Sequence, residues 1–172
     1  MTETSANPDR LHDPDRLAEI VALDLLAVEG DEVLEEIVAR AAELLTSPMA
    51  MVSVVLDEAQ LVAAHRGPLG WVAEAGGHPA EWSFCANTIR SGQPFVVEDA
   101  ATHPLTRDNP LVTIDGARSY AGIPLLTSRG QPVGSLCVIG AVPRVFSAEE
   151  LAELQRLAER VMERLETRRE AE

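Results

Sequence analysis

Residues 118–139, Arg-Ser-Tyr-Ala-Gly-Ile-Pro-Leu-Leu-Thr-Ser-Arg-Gly-Gln-Pro-Val-Gly-Ser-Leu-Cys-Val-Ile, constrain the fold more than any other stretch of this chain. Two apolar runs, Tyr120 to Leu126 and Val133 to Ile139, flank a polar connection from Thr127 to Gln131. Within it Gly130 can take the positive φ that a short hairpin loop needs. Both runs are nearly continuous in apolar character, so each predicted strand is covered on both faces. They read as central strands of a sheet that carries helices. An ordinary core hairpin without functional meaning would look the same, so its value is as an anchor for the other elements.

Upstream, Asp13-Pro14 predicts a helix start, because Asp caps free N–H groups and Pro at the first helical position loses nothing by lacking one. Leu17, Ile20, Val21 and Leu25 then run at helical spacing towards a break at Gly30. Asp31 can cap a second helix whose apolar stripe is Leu34, Ile37, Val38, Ala41, Leu44 and Leu45, ended by Ser47-Pro48. Met49–Leu56 and Leu61–Arg66 read as two strands, and Gly67 to Glu81 as a long Gly- and Pro-rich connection. A short helix follows from Trp82 to Ile89, with Ser83 as its expected cap, and then a short strand from Pro94 to Val97. Residues 104–116 form a second excursion before the hairpin. Pro124 cannot donate to a ladder, so a bulge or an unpaired position is expected there.

Ser147-Ala148-Glu149-Glu150 is a capping box that opens a final helix over 147–170. Its Leu151, Leu154, Ala158, Val161 and Leu165 step by three and four, an a/d seam, while Arg156, Arg160, Arg164 and Arg168 form one charged row. A stripe this narrow predicts a second helix packed against it, from the N-terminus or from a sister subunit in a homodimer. The domain therefore runs over 13–172, behind a disordered leader at 1–12.

The net charge of −14 speaks against a nucleic-acid partner, whose binding rests on clustered Lys and Arg, and it disfavours an anionic membrane surface. No apolar run approaches the length of a membrane helix. The polar stretch from Met1 to Arg16 is no signal peptide, so a reducing cytoplasm is the expected location of the two thiols, Cys85 and Cys137.

Several segments carry a family resemblance. Ser83-Phe84-Cys85-Ala86-Asn87-Thr88-Ile89, Pro94-Phe95-Val96-Val97-Glu98-Asp99-Ala100, Asp108-Asn109-Pro110, Tyr120-Ala121-Gly122-Ile123-Pro124-Leu125 and Gly134-Ser135-Leu136-Cys137-Val138-Ile139 resemble, in order, motifs of bacterial sensory GAF domains. The resemblance spans roughly residues 17 to 165. It implies an α+β fold related to PAS domains. A central antiparallel sheet carries the terminal helices on one face, with loops and short helices over a ligand pocket on the other. Two departures stand out: Gly140 replaces an Asp that often follows the last strand, and the signature of cyclic-nucleotide-binding members is not recognisable.

The pocket candidates are Trp82, Phe84, Cys85, Asn87, Asp99, Asp108, Asn109 and Tyr120. Cys85 is the most reactive candidate by position, in the first turn of a helix where the thiolate is favoured, though a small buried hydrophobe beside Phe84 is the plainer reading. Asp99 either caps the turn after its strand or meets ligand, and Asp108 and Asn109 sit in the excursion that borders the family's pocket. Tyr120 offers a ring and a hydroxyl, while Trp82 and Phe84 either wall the pocket or anchor the helix. Two Trp, one Tyr and three Phe are too few for a flavin or haem cage. His12, His65, His78 and His103 lack ligand spacing, so no metal is assigned, and the cofactor is unknown. Cys85 is followed by Ala86 rather than His, which speaks against an attached bilin.

These features predict a non-catalytic, cytoplasmic sensory or regulatory module. An unidentified small molecule enters beneath residues 67–116, and a partner protein or sister subunit reads the shifted terminal helices in trans. The alternative is a thiol-based redox enzyme using Cys85, resembling the family's free methionine sulfoxide reductases, whose cysteine pattern differs. A structural dimerisation module is the third reading.

Overall fold

The computed structural model describes residues 10–28, 30–57, 59–67, 77–79, 84–113 and 116–170. Its centre is the predicted hairpin. Strand β5 runs over Ser119–Leu126 and β6 over Pro132–Gly140, and the Thr127–Gln131 connection closes on Gly130 at φ 78°. The Thr127 hydroxyl accepts from the N–H groups of Arg129 and Gln131, and Thr127 donates its own N–H to the Gln131 carbonyl. The other strands are β1 (Met49–Val55), β2 (Ala59–Arg66), β3 (Gly77–Pro79) and β4 (Phe95–Val97). They assemble into one six-stranded sheet of order β3-β2-β1-β6-β5-β4, in which every recorded pairing is antiparallel. All nine residues of β6 are buried, as a strand with both faces covered must be.

Two sequence expectations shift locally. The connection expected from Gly67 to Glu81 contains β3, a Gly-His-Pro segment whose composition hides the edge strand it forms against Ala59–Leu61. Pro124 sits within β5 opposite Ser135, and the register slips one step later, between Leu125 and Leu126. The ladder tolerates the proline because β4 reaches only as far as Gly122, leaving Pro124 beyond the end of that neighbour.

The first face of the sheet carries the longer helices. Helix α1 (Pro14–Ala22) is capped by Asp13, whose side chain accepts from the Asp15 N–H, and α2 (Glu32–Leu44) by Asp31, which accepts from Val33 and Leu34. Helix α1 stops earlier than its apolar spacing suggests. Asp24 takes a left-handed conformation at φ 54°, Leu25–Ala27 form a 3₁₀ turn, and Val21 is left exposed. The last helix opens on the capping box, with Glu150 donating its N–H to Ser147 Oγ and accepting from the Ser147 N–H. Helices α3 (Cys85–Ser91) and α4 (Pro110–Thr113) precede it, so it is α5 (Ala148–Glu170). Its seam residues Leu154, Ala158, Val161 and Leu165 are buried, and so are Leu157 and Met162, in one core with α2 and the strands. The second helix that the seam calls for is therefore α2 of the same chain. Arg164 reinforces the contact by reaching the Asp31 carboxylate at 3.1 Å.

Helix α3 and the Arg10–His12 3₁₀ turn cover the second face, where Leu11, Met51, Phe84, Ile89 and Tyr120 form a separate core. Leu11 falls in the stretch expected to fray, yet it is buried in this core. Arg16 of α1 is fully buried and donates to the carbonyls of Arg10, Leu11, Val55 and Pro132, which ties that turn to the ends of β1 and β6. Among the described residues no helix is long and apolar enough to cross a membrane.

Candidate functional site

Side chains alternate across a strand, so Ser135 and Cys137 of β6 point to the same face. Ser53 of β1 lies directly across from Ser135, and Gly122 of β5 directly across from Cys137. Only a glycine at position 122 leaves room for the neighbouring tyrosine. A Cβ there would fall 2.3 Å from the Tyr120 hydroxyl and 2.7 Å from its Cζ, because the Tyr120 ring lies back along its own strand over the bare glycine. Phe84 meets that ring edge-on at 5.1 Å and Phe95 tilts against it at 5.8 Å, so the ring is clamped.

Helix α3 then delivers Cys85 from above. Its Sγ lies 4.0 Å from Cys137 Sγ and accepts a hydrogen bond from the Tyr120 hydroxyl at 3.2 Å. Ser53 and Ser135 complete a nest of five buried polar groups inside an otherwise apolar core. The Ser53 hydroxyl reaches the Ser135 carbonyl at 3.5 Å. Ser135 Oγ makes no hydrogen bond of standard geometry, yet it lies close enough to polarise both the Cys85 thiol and the Tyr120 hydroxyl. Buried polar groups are costly unless paired.

The electrostatics of the nest separate its members. Burial pushes the Cys85 thiol up, but its bonds with Cys137 and Tyr120, together with the nearby hydroxyls of Ser53 and Ser135, outweigh it and bring the thiol down to about 6. The bond to Cys85, with burial, drives Cys137 well up. Burial and the neighbouring thiolate raise Tyr120, which stays protonated as a donor. The two thiols are thus pushed apart, Cys85 towards the thiolate and Cys137 towards the thiol.

The other sequence candidates fall at varied distances from this centre. Phe84 stands at the cap position of α3 without a side-chain cap bond, and Cys85 is the first helical residue. Ser83 and Trp82 lie outside the described residues. Asn87 is half-buried on α3. Asp99 caps the turn after β4 through the Ala101 N–H and forms a two-pronged ion pair with Arg118, at 3.0 and 3.1 Å, which holds its carboxyl below the usual range. Asp108 is exposed beside Arg107, and Asn109 accepts from the N–H groups of Val112 and Thr113 in α4. The structure thus gathers Phe84, Cys85 and Tyr120, and keeps Asp108 at the surface. Ser53 and Ser135 are not apparent as site residues from the sequence. Their signal is a small hydroxyl inside a strand of Val, Leu and Cys, at the parity that faces Cys85.

A sequence profile of the GAF domain matches residues 28–166. The chain belongs to the GAF domain family. A cyclic di-GMP phosphodiesterase of Pseudomonas aeruginosa is 39% identical over 156 residues, which are 90% of this chain and 26% of that protein. This GAF chain therefore spans about a quarter of the curated relative it matches. Among solved structures, a free methionine-R-sulfoxide reductase from Neisseria meningitidis, in complex with its substrate, superposes with a TM-score of 0.67 at 22% identity, covering 100% of this chain and 99% of that one. A cyanobacteriochrome receptor superposes at 0.62 with 21% identity, covering 91% and 97%. These likenesses show the α+β GAF fold. The expectation of a chain without catalytic activity does not stand. One relative is named as a phosphodiesterase and a structural neighbour as a reductase, so belonging to this family does not set the chain apart from enzymes.

Proposed function

We propose that this GAF chain is the sensory unit of a signalling system that turns over cyclic di-GMP, and that its input is a small molecule held on the second face of the sheet against the thiol–hydroxyl nest. One observation carries the reading: five polar groups converge in an otherwise apolar core, and Ser135 Oγ has no well-made bond of its own. The relative's name supports the output. The route from nest to helices runs through the N-terminal turn. Leu11 packs in the second core, and Arg16 joins its carbonyl to α1 and to the first face. A partner protein or a second copy would read the change on the outer side of α5, since its apolar seam is already filled by α2 and the sheet.

Thermal melts of the full chain against a metabolite panel that includes cyclic di-GMP and methionine sulfoxide test the reading. A ligand present at a hundred times its Kd adds about 2.7 kcal/mol. That raises Tm by roughly 8 °C in a domain of this size. The reading expects such a shift for at least one compound, and its loss in Ser135→Val. A panel that leaves Tm unmoved, or a shift that Ser135→Val retains in full, would overturn it.

A further inference from the structure

The chain has two cysteines, and the fold brings both to one point. Cys85 and Cys137 are separated by 52 residues and come from different elements, the first residue of α3 and the middle of β6, with their sulfurs 4.0 Å apart. A disulfide needs about 2.05 Å. Closing that gap requires the two sulfurs to approach by about 2 Å, a movement that falls to α3, seven residues long and without a side-chain cap bond at Phe84. The surroundings also discriminate between the sulfurs. The Tyr120 hydroxyl donates to Cys85, and Ser53 and Ser135 face it as well.

We propose that Cys85 and Cys137 are a two-electron redox site, oxidised by a hydroperoxide to an intramolecular disulfide that fastens α3 to β6. Cys85, as thiolate, attacks the terminal oxygen of the hydroperoxide. The O–O bond breaks, Cys85 becomes a sulfenic acid, and the alkoxide (or hydroxide) leaves with the proton that Cys85 gave up. Cys137 then attacks the Cys85 sulfur. The S–O bond breaks and water departs with the Cys137 proton. Two thiols and one hydroperoxide thus yield one disulfide, one alcohol and one water. Thiol reductants reverse the bond by two successive exchanges. Cys85 is the attacking sulfur because it opens α3 and accepts the Tyr120 hydroxyl bond at 3.2 Å, and its bonds to Cys137 and Tyr120 lower it whereas Cys137 is raised. This proposal does not depend on the ligand or on the output.

The test is intact-mass analysis of the folded full chain after hydrogen peroxide, followed by denaturation and alkylation. Wild type is expected to lose both alkylatable thiols and about 2 Da, and to regain them with dithiothreitol. Peptide mapping should show a Cys85–Cys137 link within one chain. Cys137→Ser should stop at a dimedone-trapped sulfenic acid on Cys85, while Cys85→Ser keeps its thiol at the same dose. Tyr120→Phe should slow wild-type oxidation about tenfold through loss of a hydrogen bond to a charged sulfur. In urea the preference for Cys85 should vanish, which separates the effect of the fold from that of the residues. The proposal falls if wild type keeps both thiols at a dose that oxidises free cysteine. It falls equally if Cys137 in Cys85→Ser reacts as fast as Cys85 in Cys137→Ser.

Discussion

At the scale of single residues, the site depends on one missing side chain. Gly122 lets the Tyr120 ring lie along β5, and only in that pose does the hydroxyl come within 3.2 Å of Cys85 Sγ. The consequence is a pH dependence whose sign comes from linkage. Burial opposes ionisation of Cys85, but its hydrogen bonds win and lower it from 9.0 to about 6. A group depressed on folding contributes stability that is fully present above its unfolded value and is lost as pH falls through its folded value. The stability of reduced wild type relative to Cys85→Ser should therefore rise between about pH 6 and pH 9, with little further change outside that window. Urea midpoints taken across this range in the presence of reductant check it. A flat difference would mean that Cys85 titrates as an ordinary thiol.

At the scale of elements, Arg16 shows how a single side chain can join segments far apart in the chain. Its guanidinium is fully buried and satisfied by carbonyls, including Val55 at 2.6 Å and Leu11 at 2.6 Å, and burial brings it down to about 10. Arg16→Met keeps most of the volume and strands those acceptors, so it should cost about 3 kcal/mol in urea denaturation. A loss below about 0.5 kcal/mol, the level of an ordinary surface change, would show that the carbonyls find other donors. Nothing in the sequence singles Arg16 out, because two of its four carbonyl partners lie 39 and 116 residues away and its local setting is the polar side of a helix start. Local signals were legible for the opposite reason. Asp13, Asp31 and the Ser147–Glu150 box each cap the helix they immediately precede, and β5 and β6 keep close to the bounds of their own apolar runs. The site was half legible. Phe84, Cys85 and Tyr120 lie in recognisable segments, whereas Ser53 and Ser135 gain meaning only from strand parity and a register that pairs β1 with β6. Where α1 ends was not legible either, since Leu25 continues its spacing but reaches the core from a separate turn after Asp24.

At the scale of the whole molecule, one sheet separates two cores. Leu136 and Val138 of β6 face the long helices, while Cys137 and Ile139 face α3. Among the described residues the second core is roofed by a seven-residue helix and the Arg10–His12 turn, whereas the first is closed by α2 and the 23-residue α5. Regions that bind ligands come from the less stable end of a structure, and a helix as short as α3 brings little stability of its own. The two buried thiols report directly on this, because a water-soluble disulfide reagent reaches them only when the second face opens. Leu154→Ala in the first core should cost about 3 kcal/mol of global stability. If the thiols were exposed by global unfolding, that loss would speed their labelling about 150-fold. Opening of α3 alone predicts a different pattern: Leu154→Ala lowers the urea midpoint yet changes labelling less than about threefold, whereas Ile89→Ala, on α3 itself, accelerates labelling about a hundredfold. We expect the second pattern. It would make the two faces energetically separable despite their shared strand, and would give a peroxide or a ligand a way in that leaves the long helices standing.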